Sequence, residues 1–311
     1  MGSPGDQCGD AVSVNDAPSP SSKPLWLVLA PAIFLILWSG GFSVAKLGIR
    51  HAEPLTFLAL RYAIVLIILI PFAVALRPRW PRRPSEWLHI AMVGFLIQAV
   101  YFGLCYLAFH AGTSAGTVAI IVCLQPILVG LIAPYFARER VSALRWFGLI
   151  LGLAGAATVI LARSSIEAES IFGVLCSIGG LLGITAGTLW EKRFGGNHHP
   201  IVSNMIQYAV GLAGTLPLTL ATETLSVDWA SPEFLGALAY LVIGNSLISM
   251  TLLLAMIRAG EVSRVSSLFY LVPPVAALMA WPILGEAMPP LAWLGMAIAA
   301  AGVAIASRKP A

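Results

Sequence analysis

The chain has 311 residues, of which 59% are hydrophobic and 10% charged, whereas about 25% are charged in an ordinary soluble domain. That apolar surface exceeds what one soluble core of this size can hide. The net charge of +4 sits in short segments between apolar runs, which points to membrane topology and away from nucleic-acid binding.

Residues 1–23 are rich in Ser, Pro, Gly and Asp, and are expected to form a disordered cytoplasmic tail without a cleaved signal. Ten apolar runs follow: 25–48, 54–76, 88–110, 114–136, 143–162, 171–191, 201–221, 234–257, 262–284 and 289–306. Each is close to the roughly 20 residues that cross about 30 Å of hydrocarbon as a helix. Polar or helix-breaking segments punctuate them, among them RPRWPRRPSEW at 77–87, KRFGGNHHP at 192–200 and TETLSVDWASPE at 222–233. The pattern predicts an all-α membrane protein with ten transmembrane helices. With the N-terminus inside, the inner segments hold fourteen Lys and Arg residues and the outer ones three, so both termini are expected in the cytoplasm.

The chain also repeats itself. A shift of 146 pairs Pro54 with Pro200, Tyr62 with Tyr208 and Pro71 with Pro217. A shift of 147 pairs Glu139 with Glu286, Trp146 with Trp293, Gly148 with Gly295 and Gly155 with Gly302, and a shift of 148 pairs Pro126 with Pro274. Five helices per half invert the second half relative to the first, an arrangement common in secondary transporters. The expected division is residues 24–162 and 163–307, with a cytoplasmic tail at 308–311.

The ordered features Trp38-Ser39-Gly40-Gly41-Phe42, Lys46, Arg61, Pro126, Arg138-Glu139-Arg140 and Gly285-Glu286 give a family resemblance. The chain resembles the drug/metabolite transporter superfamily in its EamA-domain branch, and within it is similar to aromatic amino-acid exporters. The resemblance implies a basket of helices around a central cavity, lined by helices 1, 3, 4, 6, 8 and 9. It also implies export of amino acids or similar metabolites. One departure is that Gln207 stands in the second half where the first has Arg61.

Candidate site residues sort by depth and chemistry. Pro126 and the pair Pro273-Pro274 interrupt helices 4 and 9 at matching places, and are expected to act as hinges or kinks. Gln98, Gln125 and Asn245 lie at mid-depth, either bonding neighbouring helices or facing a wet cavity. Trp38, Tyr101 and Tyr270 lie deep, and Trp190 ends helix 6, as candidate walls for an apolar or aromatic substrate. Arg61 is costly in a span, and either attracts a substrate carboxylate or clamps helix ends. Glu191 is expected to pair at the surface with Lys192 and Arg193. Gly179, Gly183 and Gly187 on helix 6, and Gly148 and Gly152 on helix 5, suit close helix packing.

The four cysteines form no CxxC, and no histidine pair stands at ligand spacing, so no metal, cofactor or disulfide framework is expected. The expected partners are a small-molecule substrate and the lipid bilayer, with no nucleic acid and no required oligomer. No Asp or Glu occupies the middle of any span, which favours facilitated diffusion over proton coupling. A proton-coupled antiporter of drugs or amphipathic cations is the alternative. An intramembrane enzyme or a channel is a more distant one, and the sequence shows neither a nucleophile–base pair at depth nor a ring of charges.

Overall fold

The computed structural model describes residues 25–113, 118, 121–136, 141–163, 170–259, 262–272, 274–276, 278–279 and 289–306. Pro273, Glu139, Glu286, Arg138, Arg140 and Gly285 lie outside them. The helices are α1 (Leu25–Gly48), α2 (Pro54–Leu76), α3 (Pro84–His110), α4 (Gln125–Phe136), α5 (Ala143–Arg163), α6 (Ile171–Phe194), α7 (Pro200–Thr222), α8 (Pro232–Ala259), α9 (Val262–Ser267, running into a 3-10 turn at Leu268–Leu271) and α10 (Pro290–Ala306). Six of these, α1 to α3 and α6 to α8, are long and apolar enough to cross a bilayer over their described residues. Large apolar side chains such as Ile67, Leu161, Leu175 and Leu220 point outward, each more than half exposed. Lipid is the solvent that makes such a surface favourable.

The packing shows the duplication. α2 lies against α7 and α5 against α10, each helix meeting its counterpart in the other half. α3 packs on α6 and α7, and correspondingly α8 packs on α1 and α2. Exchanging the halves therefore maps the contact pattern onto itself, as a pseudo-two-fold axis requires. Two glycine contacts make the relation concrete. A Cβ on Gly148 would lie 2.8 Å from the Gly302 carbonyl, and one on Gly155 would lie 2.7 Å from the Gly295 carbonyl. These two contacts exchange under the same 147-residue shift that relates the sequences. Gly183 and Gly187 of α6 likewise admit α3, since a Cβ there would meet Leu96 and Ile97.

Two departures from regular helix were not legible beforehand. The middle of α3, Phe95–Phe102, and the middle of α8, Leu241–Ser249, are wound as π-helix, at corresponding places in the two halves. A π segment is rare and marks functional sites more often than chance. The fourth span is also not continuous: a turn at Cys123 and Leu124 precedes α4, which restarts with Pro126 in its first turn. Proline supplies no N–H there and its ring would crowd the Val122 carbonyl one turn back. In α9 the 3-10 turn at Leu268–Leu271 leads into the Pro273-Pro274 positions. The two interruptions touch, because the Cys123 thiol donates to the Phe269 carbonyl at 3.7 Å.

Candidate functional site

The site is organised by two tyrosines. In α8 the Met250 amide bonds the Asn245 carbonyl five residues back, so the Ser246 carbonyl loses its ordinary helical donor. The Tyr208 hydroxyl of α7 donates to it at 2.8 Å. In α3, which is π-wound at the corresponding place, the Tyr62 hydroxyl of α2 donates to the Gln98 carbonyl at 2.7 Å. The two rings contact each other with centroids 5.5 Å apart. A hydrogen bond to a buried carbonyl is favourable, so each tyrosine stabilises the π segment that it touches.

The halves differ one residue earlier. Gln207 precedes Tyr208 and is fully buried, and its amide has no partner among the described residues. Arg61 precedes Tyr62, and its guanidinium is buried rather than snorkelling outward. It donates from Nε to Ser246 Oγ at 2.6 Å, from Nη2 to Asn245 Oδ1 at 2.7 Å and from Nη1 to the Tyr106 hydroxyl at 3.4 Å. The guanidinium also sits 4.7 Å above the Phe102 ring. All of these partners are uncharged. Arginine stays protonated in proteins, so the chain buries a cation here beside neutral partners.

This guanidinium lines a cavity of about 20 Å³ between α1, α2, α3 and α8, walled by Trp38, Tyr101, Phe102, Tyr106, Phe109 and Asn245 among others. In this conformation free space in it is down to roughly one water molecule. The Trp38 and Tyr101 rings stack with an interplanar angle of 5°. The Trp38 Nε1–H has no acceptor among the described residues.

At the end of the bundle that carries Arg77, Arg79, Arg82, Arg83 and Arg193, α6 and α8 are tied together. Glu191 of α6 is 2% exposed and accepts a hydrogen bond from Arg258 Nε of α8. Arg258 also donates to the His198 carbonyl at 3.3 Å and to Ser203 Oγ at 3.2 Å. The expected surface pair of Glu191 with its neighbours is thus corrected: residues 192 and 193 follow it on a turning helix, while Arg258 reaches it from α8. Beside this pair, Trp190, Phe194 and Phe136 cluster with His89, which stacks on Phe194 at 4.8 Å. At the other end the Glu223 carboxylate accepts from the Leu55 and Thr56 amides at 2.8 and 2.6 Å, capping α2 from the end of α7. His51 lies 3.6 Å from Asp228 and 3.3 Å from Glu233.

Of the residues singled out from the sequence, Trp38, Arg61, Tyr101 and Asn245 come together at the cavity. Gln98 is fully buried between α3 and α7, where Gly211 leaves it room, and its amide has no partner among the described residues. Gln125 reaches Thr188 of α6 at 3.4 Å. Trp190 belongs to the aromatic cluster beside the Glu191–Arg258 pair, and Tyr270 packs on Gly152 of α5. Pro126 and Pro274 are buried, at the two interruptions. Tyr106, Phe102 and Phe109 were missed, since aromatics in a span carry no mark that separates cavity from lipid. Tyr106 stands one turn beyond Phe102, a spacing that could have placed both on one face.

Comparison with known proteins agrees with this architecture. The model of the EamA-like transporter family matches twice, over residues 24–161 and 171–308. "Uncharacterized transporter YvbV" of Bacillus subtilis (strain 168) is 26% identical, covering 89% of this chain and 90% of its own. "Uncharacterized inner membrane transporter YedA" of Escherichia coli (strain K12) is 24% identical, covering 85% and 84%. A "Probable terminal-alkyne amino-acid exporter" of Streptantibioticus cattleyicolor is 25% identical, covering 93% and 94%. A solved crystal structure shares the fold with a TM-score of 0.74 at 21% identity, covering 90% of this chain and 96% of its own. The two family matches fall one on each five-helix half, and the chain is a multi-pass membrane transporter that belongs to the EamA-like transporter family.

Proposed function

We propose that this protein exports small carboxylate-bearing metabolites, amino acids among them, by alternating access in the inner (plasma) membrane. The observation that carries the reading is Arg61, a buried guanidinium in the central cavity whose bonded partners are all neutral. Burying an unneutralised charge is unfavourable, and an arriving carboxylate relieves that cost through charge-assisted, bidentate hydrogen bonds. The similar protein of Streptantibioticus cattleyicolor carries the name of a probable exporter of one such class, terminal-alkyne amino acids. Asn245 and Ser246 orient the guanidinium, while Trp38 and Tyr101 flank the substrate's side chain. Gln98, Gln125 and Tyr270 support the cavity from the next layer.

The excess of Lys and Arg puts the Glu191–Arg258 end in the cytoplasm, together with both termini. Substrate enters when the Glu191–Arg258 pair and the Trp190 cluster part. The breaks at Pro126 and Pro274 absorb the bending. No described acid lines the cavity, so movement follows the substrate gradient without obligatory proton coupling. The test is counterflow in proteoliposomes. Internal unlabelled phenylalanine is expected to drive transient accumulation of external labelled phenylalanine, saturably and without a pH gradient. Linear, non-saturating equilibration would contradict a carrier, and uphill accumulation driven by a pH gradient alone would contradict a facilitator.

A further inference from the structure

The geometry points to a recognition rule for the Arg61 cavity: it reads a carboxylate and an apolar body, and gives an ammonium nothing. Its substrate class is then the organic monoanions of amino-acid size, with amino acids accepted for their carboxylate alone. This rests on the reading of Arg61 as the substrate's anchor.

Counting donors and acceptors leads to the rule. An α-ammonium needs oxygen acceptors or a carboxylate. Among the described residues that line the cavity there is no Asp or Glu. The neutral side-chain oxygens that line it are few, and the amide oxygens of Gln98 and Gln207, which have no partner among the described residues, are not among them. Asn245 Oδ1 and Ser246 Oγ accept from Arg61, and the Gln98 and Ser246 carbonyls accept from Tyr62 and Tyr208. Both carbonyls thus already hold a bond within the protein.

Donors are in surplus. Arg61 uses three N–H groups on its neutral partners and keeps the others. The Tyr106 hydroxyl accepts from Arg61, which leaves its own proton to give. The Trp38 indole N–H lines the cavity with no acceptor among the described residues. A surplus of buried donors around a fixed cation fits an anion. The aromatic faces could otherwise attract an ammonium, but the guanidinium already occupies the Phe102 face and repels a second cation brought within a few Å.

The test uses three probes of one shape on the purified full-length protein in nanodiscs, with binding read by calorimetry: 3-phenylpropionate, phenylalanine and phenethylamine. The expected result is that 3-phenylpropionate binds at least as tightly as phenylalanine, within about threefold. Phenethylamine is expected not to bind, and Arg61→Gln to weaken both acids by about tenfold or more. Phenylalanine binding tenfold tighter than 3-phenylpropionate, with both still dependent on Arg61, overturns the rule and leaves the anchor standing. Acids that bind Arg61→Gln as well as the parent protein overturn both. Should Arg61→Gln fail to fold, Arg61→Lys replaces it, and the ranking of the probes on the parent protein decides the rule without any variant.

Discussion

Tyr62 and Tyr208 stand 146 residues apart in the chain, yet their rings meet at 5.5 Å, and each hydroxyl serves a backbone carbonyl of the π-wound helix beside it. The relation joins the sequence repeat to the site. The duplicated tyrosine lets both halves carry the same irregular helix, and the residue before it makes them different. Arg61 in one half creates a buried charge, and Gln207 in the other does not.

Removing either hydroxyl takes a hydrogen bond from a buried carbonyl while keeping the ring. Tyr62→Phe and Tyr208→Phe are each expected to cost about 1–3 kcal/mol in reversible unfolding from mixed micelles. The double variant is expected to deviate from additivity, because the rings touch. Single variants as stable as the parent would mean that the π segments satisfy themselves.

Arg61→Gln is expected to reduce the transport rate at sub-saturating substrate by about tenfold or more with folding retained. Arg61→Lys is expected to recover only part of it, since a lysine cannot span Asn245, Ser246 and a carboxylate in one plane. Uptake kinetics in proteoliposomes check this, and an unchanged Arg61→Gln would remove the anchor.

Glu191 and Arg258 join α6 and α8 at one end of the bundle. Glu191→Gln is expected to favour the conformation open at that end. A cysteine placed at Thr188, buried one turn deeper, would then react with a soluble maleimide about tenfold faster, a shift of about 1.4 kcal/mol. An unchanged labelling rate would show that the aromatic cluster closes this end by itself.

Adding a methyl group to α5 or α10 forces backbones apart. A Cβ on Gly155 would lie 2.2 Å from the Ala299 amide nitrogen, and one on Gly302 would lie 2.3 Å from the Gly152 amide nitrogen. Gly155→Ala and Gly302→Ala are each expected to destabilise the protein by about 1–3 kcal/mol in the same unfolding assay. A neutral outcome would contradict the close approach of α5 and α10.

Much of the fold was written in local sequence. Run length gave the helices, and Pro54, Pro71, Tyr62 and Gly148 recurred at a nearly constant shift, because each answers to its own turn of helix. The cavity was legible only in part. Arg61, Trp38, Tyr101 and Asn245 stood out as polar or bulky groups at depth, but which neighbour each meets is set by packing between helices far apart in the chain. Glu191 shows this: its neighbours in sequence are Lys192 and Arg193, while Arg258 lies 67 residues away. The π segments left no mark, since FLIQAVYF and LVIGNSLIS contain no proline, and their stabilising tyrosines sit on other helices.

The central claim is that one cavity is reached from one side of the membrane at a time, and paired cysteine accessibility tests it most directly. In a cysteine-free background, Ala45→Cys reports on the cavity beside Arg61 and Thr188→Cys on the layer beneath the Glu191–Arg258 pair. As phenylalanine or 3-phenylpropionate is added, reactivity is expected to rise at one position while it falls at the other. Reactivity rising at both positions together would mean a continuous pore, and would contradict the account.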